Sequence, residues 1–291
     1  MGKTSLSLAL GLRHAMLGRP AVVVTSHPLT ELAASISLAG FTEINPVAAE
    51  NLFVIHIDPR EVLDNTVRQN IPSSILVKAV LASSIYQSLI EVAPGLKEIA
   101  FLHRLRRLSD EGIDAGRTFE RIVWDAPATG HFLQMLRVSR NFELYLSGPF
   151  ALLGQQLANF SSDAARFAVF PITTLEEMAV EETIELCQQL GGSDLAIKPG
   201  GVVCNMTSPL AHSGVPFGEL RDQLETESHD DAGLEFILSR NAIERSLFAK
   251  LRSALPAAPY LMERKPFWTT DLDLLFDLVR QMERFPEPWA P

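Results

Sequence analysis

Short, continuously apolar segments alternate with helical patterns along this chain, and this alternation is the feature that most constrains its fold. Ala21–Thr25 is rich in β-branched residues, and residues 51–58 and 118–125 are two further apolar runs that each end in an aspartate. Continuous apolar runs of this length are typical of parallel strands that are buried on both faces. Strands that alternate with helices predict crossover units. The chain is therefore predicted to be an α/β protein with a doubly wound, mostly parallel sheet.

Other segments extend this pattern. The spacing of Thr174 and Glu177 predicts a capping box at the start of a helix. Residues 211–235 are polar and are interpreted as a loop or a mobile insertion. The remaining predicted strands are residues 166–172, 200–205 and 259–262, and the remaining predicted helices are residues 29–38, 132–138 and 272–282.

The middle of the chain is predicted to be mostly helical, from about residue 59 to residue 107. We interpret residues 60–117 as a helical insertion within a single domain that covers residues 1–291. Apolar residues recur at helical spacing in this block, which favours a stripe that faces a core, with an exposed groove for an apolar partner as the alternative. This stripe consists of Leu76, Val77, Val80, Leu81, Ile85, Leu89 and Ile90.

Composition excludes several classes of function. The formal net charge of −10 argues against general binding to nucleic acid or to an anionic membrane, because both need a cationic surface. Two cysteines, Cys187 and Cys204, supply neither a disulfide framework nor a CxxC pair. Neither a signal peptide nor an uninterrupted apolar stretch of about 18 residues is apparent. We therefore expect a soluble, cytoplasmic protein that binds no nucleic acid.

The first residues resemble the second half of a phosphate-binding loop. Gly2, Lys3, Thr4 and Ser5 precede an apolar run that is typical of a buried helix. In a complete loop of this kind the lysine reaches the β- and γ-phosphates, and the hydroxyl binds Mg²⁺. Gly-Lys-Thr is also a frequent chance tripeptide, so a solvated N-terminus is the alternative.

Polar residues at the ends of successive predicted strands support the phosphate-site interpretation. His27 and Pro28 follow the first strand, Asp125 ends another, and Asn205 ends a later one. Ligands of doubly wound sheets bind at the carboxyl ends of the strands. An aspartate at such an end holds Mg²⁺ or its water in phosphate-loop enzymes, although many merely cap the next helix.

This ordered set resembles the ArsA family of phosphate-loop ATPases, which includes the arsenite-pump ATPases and relatives that target tail-anchored membrane proteins. Residues 125–137, Asp-Ala-Pro-Ala-Thr-Gly-His-Phe-Leu-Gln-Met-Leu-Arg, are similar to the family's Asp-x-x-Pro-Thr-Gly-His-x-Leu-x-x-Leu segment. The likeness runs from residue 2 to about residue 206. The family's loop reads Lys-Gly-Gly-x-Gly-Lys-Thr, which places Met1 at x. We therefore expect a strand and Lys-Gly-Gly to precede Met1 in a full product, so that Met1 is either an internal methionine mistaken for the initiator or the start of a chain genuinely truncated within the loop.

The resemblance implies a site for the cofactors ATP and Mg²⁺. It places Lys3 on the phosphates, with Gly2 and Ser5 beside it in the loop. It places Thr4 and Asp125 on Mg²⁺, with Asp125 also near the attacking water. The residues implied to sense the γ-phosphate and to contact the adenine are Gly130, His131 and Asn205.

The chain departs from the family at two places. His27 stands where relatives commonly have an aspartate before proline. A histidine can orient a water or accept its proton, but it does not supply a fixed negative charge, so His27 is either catalytic or a spacer. No cysteine set for arsenite or zinc is present, and Cys187 and Cys204 are interpreted as core residues.

We expect an ATP-binding, Mg-dependent ATPase of the ArsA type that couples nucleotide state to conformational change and to partner or cargo handling. The expected partners are a second copy or a paralogue in a dimer, and a membrane protein or transporter. The alternative is a non-hydrolysing, nucleotide-dependent scaffold or regulatory partner of an active paralogue. A further possibility is that residues 1–291 bind no nucleotide, because half of the loop is absent.

Overall fold

The computed structural model describes residues 2–26, 51–113, 118–145, 147–208, 219, 222, 232–265 and 271–283. Strands and helices alternate along these residues, which confirms the predicted α/β class. The strands are β1 (Ala21–Thr25), β2 (Leu52–His56), β3 (Arg121–Asp125), β4 (Ile172–Thr173), β5 (Val203–Thr207) and β6 (Tyr260–Glu263). The helices are α1 (Lys3–Met16), α2 (Pro59–Asn70), α3 (Ser74–Ala82), α4 (Ser84–Val92), α5 (Leu96–Glu111), α6 (Thr129–Tyr145), α7 (Pro149–Ser162), α8 (Glu177–Gly191), α9 (Ala232–Ala254) and α10 (Asp271–Met282).

The described strands form two parallel sheets of three strands each. Their orders are β2-β1-β3 and β4-β5-β6. Thr25 at the end of β1 is in register with His56 of β2 and with Asp125 of β3. The carboxyl ends of these three strands therefore meet at one edge of the first sheet, as the sequence predicts.

Helices cover both faces of the first sheet. Leu8 and Leu12 of α1 belong to a core with Val23 on one face, and Phe101 and Leu105 of α5 belong to a core with Val22 on the other. Every residue of β1 is buried, which explains why its sequence is continuously apolar.

The core beneath α1 also reaches the second sheet. It includes Val203 of β5, Met262 of β6 and four residues of α10. A third core, on the face opposite α1, contains residues of α6 and α8 and contacts Trp124 of β3 and Val169. Both three-stranded sheets therefore lie between the same two layers of helices.

Three local predictions are wrong. The strand predicted at residues 166–172 is reduced to Ile172–Thr173, apart from an isolated bridge between Val169 and Pro199. Pro171, which lies between Val169 and Ile172, has no N–H to donate to a ladder. The strand predicted at residues 200–205 is present, but its bounds are Val203–Thr207. Thr174 does not cap α8, because the N-cap residue is Glu176 and no side chain accepts a hydrogen bond there.

The middle block is helical, as predicted, but its apolar stripe does not face a core along α3 and α4. Leu76 and Ile85 are 57% and 82% exposed, whereas Ile90 is 2% exposed. In the described part of the chain, α3 and α4 pack mainly against each other and against α2, so no layer covers their outer side. The core of this block is provided by α5, where Phe101, Leu102, Leu105 and Leu108 are buried.

Some predictions fall outside the described residues. These are His27, the helix predicted at residues 29–38, and most of the loop predicted at residues 211–235. Within the described residues, no single helix is long and apolar enough to cross a membrane. Taken together, α3 and α4 are long and apolar enough, but the pair is bent by 58°.

Candidate functional site

The N-terminus of α1 is built around Gly2. Its φ of +78° is in the left-handed region that favours glycine. A Cβ atom at this position would lie 2.6 Å from Nδ2 of Asn205. Gly2 therefore allows the chain to turn into α1 and lets Asn205 lie against its backbone, which brings the two ends of the predicted site together.

Lys3, Thr4 and Ser5 form the first turn of α1, and all three are half-buried. The first turn contains no acidic residue. The unpaired N–H groups and the positive end of the helix dipole at such a turn attract anions. The start of α1 thus has the electrostatics of a phosphate site, with the Lys3 ammonium beside it.

Thr4 and Asp125 are in direct contact. The Thr4 Oγ1 hydroxyl donates a hydrogen bond of 2.8 Å to Oδ2 of Asp125. Asp125 is only 4% exposed, because it ends β3 at the edge that α1 approaches. These two residues are 121 positions apart in the chain, and the fold joins the hydroxyl and the carboxylate that the resemblance assigns to one Mg²⁺.

These donors suit Mg²⁺. Hydroxyl and carboxylate oxygens are the hard ligands that Mg²⁺ prefers, and Mg²⁺ usually takes its remaining ligands from water and nucleotide phosphates. Among the described residues there is no cluster of three or more His, Cys, Asp or Glu side chains that could hold a metal by themselves. The pair is therefore consistent with a magnesium ion that arrives with a nucleotide.

Gly130 and His131 lie in the first turn of α6, which begins at Thr129. Both are exposed, and nothing lies within 4 Å of where a Cβ atom of Gly130 would be. Gly130 borders the same cavity as Lys3 and Asp125, whereas His131 does not line it. The structure therefore brings Gly130 to the predicted site and leaves His131 at its margin.

Asn205 is held by an irregular end of β5. The pairing with β6 shifts register between Cys204 and Thr207, and Met206 has a φ of +58°. Beyond this bulge, the Ser208 backbone N–H donates to Glu244 Oε2 at 2.8 Å. Bulges commonly re-aim a side chain next to a site. Here the bulge and the Glu244 contact fix the end of the strand that carries Asn205.

Sequence reasoning missed Glu244 and His56. Glu244 forms an ion pair with Arg240 one turn earlier in α9. From the sequence alone this spacing indicates an ordinary ion pair on a helix surface, whereas in the structure Glu244 is buried. His56 ends β2 beside Thr25, and among the described residues its buried Nδ1 atom has no hydrogen-bond partner. Its place after an apolar strand, like that of Asp125, was the only signal that could have singled it out.

The two cysteines belong to one hydrophobic core. Cys204 is fully buried in β5, and Cys187 is half-buried in α8. Burial raises the pKa of the Cys187 thiol to about 11 and that of the Cys204 thiol to about 12. Both thiols are therefore protonated at neutral pH, in agreement with their interpretation as core residues.

Comparison with known proteins gives one family and several relatives. The family model described as anion-transporting ATPase, ArsA_ATPase, matches residues 1–189. An arsenical pump-driving ATPase of Acidiphilium multivorum is 25% identical over 231 residues, which is 73% of this chain and 39% of that protein. The arsenical pump-driving ATPase of Escherichia coli is 24% identical over 229 residues, covering 72% of this chain and 38% of that protein. ATPase GET3C of Arabidopsis thaliana is 28% identical over 162 residues, covering 50% of this chain and 41% of that protein.

The chain thus matches about two fifths of the length of these relatives. The family match includes the start of α1, Asp125 and the first turn of α6, and it ends before Asn205.

Proposed function

Because the chain belongs to the ArsA family of anion-transporting ATPases, whose model matches residues 1–189, we propose that it is a Mg-dependent ATPase that binds ATP at the start of α1. The observation that carries this proposal is the 2.8 Å hydrogen bond between Thr4 and Asp125. A hydroxyl at a helix N-terminus and a buried carboxylate at a neighbouring strand end are the two protein groups that hold Mg²⁺ in phosphate-loop enzymes.

Each site residue has a proposed role. The backbone N–H groups of Lys3, Thr4 and Ser5 bind phosphate oxygens, and the Lys3 ammonium neutralises charge on the β- and γ-phosphates. Thr4 and Asp125 hold Mg²⁺, which would neutralise charge that develops on the phosphate oxygens when bound. Asn205, whose Nδ2 atom lies beside Gly2, faces the base.

Hydrolysis in this class depends on positioning and electrostatics around the γ-phosphate. Asp125, His27 and His131 are the proposed catalytic residues. Asp125 orients the attacking water, and His27 accepts its proton or holds it in place. Gly130 and His131 sense whether the γ-phosphate is present and transmit this state to α6, because both residues lie in the first turn of that helix.

The coupling to a partner is proposed to use the middle block. We propose that residues 60–117 act as a helical insertion and that the exposed apolar face of α3 and α4 binds an apolar segment of a membrane-protein or transporter partner. The exposure of Leu76 and Ile85 supports this assignment. We further propose a dimer with a second copy or a paralogue, which sedimentation with and without Mg-ATP tests directly.

The site is tested by calorimetry with Thr4→Ala. We expect Mg-ATP affinity to fall by roughly 10- to 100-fold, because a metal ligand is lost, and the affinity for ATP without Mg²⁺ to change little. Asp125→Asn should also remove hydrolysis. Thr66→Ala is the matched control, because the Thr66 hydroxyl donates to the Val62 carbonyl within α2. Unchanged Mg-ATP affinity in both Thr4→Ala and Asp125→Asn would refute this site.

The second candidate function is a non-hydrolysing, nucleotide-dependent scaffold or regulatory partner of an active paralogue. The feature that favours it is His27, which stands where the family commonly has an aspartate. If His27→Asp turns over ATP faster than wild type by orders of magnitude, the scaffold is the better description. If wild type hydrolyses ATP and His27→Ala does not, His27 is catalytic and the scaffold is excluded.

A further inference from the structure

Residues 205–207 form a bulge at the end of β5, the β5 bulge. Between its pairs with β6 at Cys204 and Thr207, β5 has one residue more than β6. Met206 lies within this bulge and has a φ of +58°, a left-handed conformation that a long side chain rarely adopts. Such strain persists only where surrounding contacts hold it, and it is concentrated at binding sites. The β5 bulge therefore depends on the contacts that hold it.

Two side chains of the β5 bulge lie against the start of α1. The Cβ position of Gly2 is 2.6 Å from Nδ2 of Asn205 and 3.8 Å from Cε of Met206. Asn205 is buried, whereas Met206 is 40% exposed. A shift of the bulge would therefore move both side chains relative to the first turn of α1.

Three hydrogen bonds hold the chain at the end of the β5 bulge and directly after it. The Thr207 hydroxyl donates to the Met262 carbonyl at 3.0 Å, and the Arg264 N–H donates to the Thr207 carbonyl at 2.9 Å. The Ser208 N–H donates to Oε2 of Glu244 at 2.8 Å. The first two bonds join neighbouring strands, as in any sheet. The third is different, because its acceptor is a side chain of α9.

Glu244 lies on a face of α9 that otherwise packs into a core. Phe248 and Leu251, four and seven residues later, belong to this core, yet the Glu244 carboxylate is buried beside them and also accepts from Arg240 Nε at 3.0 Å. Asn241 on the same face is fully buried, and neither polar atom of its amide has a hydrogen-bond partner among the described residues. Buried polar groups cost free energy, so packing alone does not explain them. The contact of Glu244 with the end of β5 supplies an explanation.

The side chains of the β5 bulge suit the base of a nucleotide. A side-chain amide such as that of Asn205 carries both donors and an acceptor. It complements the N6 amino group and N7 of adenine, whereas the same edge of guanine presents two acceptors. The thioether of Met206 is an adaptable apolar group that packs well against aromatic rings. The bulge can therefore contact both the edge and the face of adenine.

We propose that Glu244 is a positioning residue for the base of the bound nucleotide. By holding the Ser208 amide, it keeps Met206 in the left-handed conformation. That conformation places Asn205 against the start of α1. Glu244 thereby determines how tightly the site binds adenine and how well it distinguishes adenine from guanine, whereas phosphate binding at α1 does not depend on it. This inference rests on the proposed ATPase function, because it concerns the base end of the same site.

Calorimetry separates the contribution of the base from that of the phosphates. Mg-ATP, Mg-GTP and Mg-tripolyphosphate are titrated into wild type, Glu244→Ala and Glu244→Gln. We expect Glu244→Ala to weaken Mg-ATP binding about tenfold and to reduce the preference for Mg-ATP over Mg-GTP, with Mg-tripolyphosphate binding unchanged within about twofold. Glu244→Gln should retain most of the affinity, because it keeps an acceptor oxygen for Ser208. The matched control is Glu181→Ala, which removes an exposed ion pair between α8 and Lys250 of α9.

A double-mutant cycle tests whether Glu244 acts through the strained bulge. Glycine adopts a φ of +58° without strain, so Met206→Gly makes the contact with Ser208 less necessary. We expect Glu244→Ala to weaken Mg-ATP binding about tenfold in wild type and less than about threefold in the Met206→Gly background. Equal losses in the two backgrounds would overturn the proposal, because a merely structural role of Glu244 in α9 predicts them.

Hydrogen exchange without nucleotide tests the contact itself. The Ser208 amide should exchange at least about tenfold faster in Glu244→Ala, with the strands of the first sheet unchanged. Glu244→Leu fills a similar volume without a buried charge, and it replaces Glu244→Ala in every measurement if that variant folds poorly. Faster exchange with unchanged Mg-ATP affinity and unchanged base preference would overturn the positioning role.

Failure of this inference and failure of the proposed function give different results. If wild type binds Mg-ATP and Mg-tripolyphosphate equally tightly, the base contributes nothing, which overturns the inference and leaves the phosphate site standing. If wild type binds neither compound, the proposed function is overturned and the inference with it.

Discussion

At the scale of single residues, Gly2 is a position where a side chain would clash within the candidate site. Gly2→Ala places a Cβ atom 2.6 Å from Asn205 Nδ2 and adds left-handed strain. We expect Mg-ATP affinity to fall by at least about tenfold, as measured by calorimetry. Gly18→Ala is the matched control, because Gly18 has a φ of +77° and nothing within 4 Å of its Cβ position. It should cost about 1–2 kcal/mol of stability without changing affinity. Wild-type affinity in Gly2→Ala would contradict the assignment.

His14 makes stability depend on pH. Burial, with the charges of Arg121, Arg13 and Arg19, lowers its pKa from 6.5 to about 4. Between these values the unfolded chain binds a proton that the folded chain does not, so the free energy of unfolding decreases as pH falls from about 6.5 to about 4. Between pH 7 and pH 5 we expect the titration of His14 to lower the free energy of unfolding by on the order of 2 kcal/mol. Urea unfolding at pH 7 and pH 5 should show this loss in wild type and a smaller one in His14→Gln. Identical pH dependence in the two proteins would show that His14 does not titrate in this way.

At the scale of secondary-structure elements, α3 and α4 combine apolar sequence with exposure. Ile85 is 82% exposed and Ile90, five residues later in α4, is 2% exposed, so they form a matched pair. Ile90→Ala should lower the free energy of unfolding by about 2–5 kcal/mol, whereas Ile85→Ser should change it by less than about 0.5 kcal/mol. Chemical denaturation measures both.

The same pair tests the proposed docking face. Ile85→Ser should weaken binding of a fluorescent, leucine-rich helical peptide, measured by anisotropy, because it removes an exposed apolar side chain. Stability losses of equal size in the two variants would show that Ile85 is part of a core, and unchanged peptide binding would show that this face is not the docking surface.

Elements were predictable where one local signal decides their structure. Ala21–Thr25 is continuously apolar, and its strand has the predicted bounds because both faces are covered by helices. Residues 166–172 carry a similar apolar signal, but the strand is reduced to Ile172–Thr173, because pairing depends on neighbours that a local pattern does not contain. The apolar stripe of α3 and α4 was misread for the same reason, since the presence of a covering layer is a tertiary property.

At the scale of the whole molecule, the candidate site is an assembly of distant segments. The order of polar residues after successive strands predicted Lys3, Thr4 and Asp125 as neighbours, and the Thr4–Asp125 contact agrees. Glu244 was not predictable, because it acts on Ser208 through the fold and its own sequence context is an ordinary helical ion pair. The role of each residue in catalysis stays a prediction.

The pairing of β1 with β3 has a consequence for the evolution and engineering of this chain. The connection from Thr25, at the end of β1, to Arg121, at the start of β3, includes all of the middle helices. Of these helices, only α5 contributes extensively to the core. The entropy of closing a connection grows so slowly that doubling its length costs only about 0.6 kcal/mol. Residues between the end of α2 and the start of α4, none of which is buried, can therefore be lengthened or replaced by a foreign domain at little thermodynamic cost to the sheet. This part of the connection is therefore a suitable place to graft a new recognition module beside the candidate site.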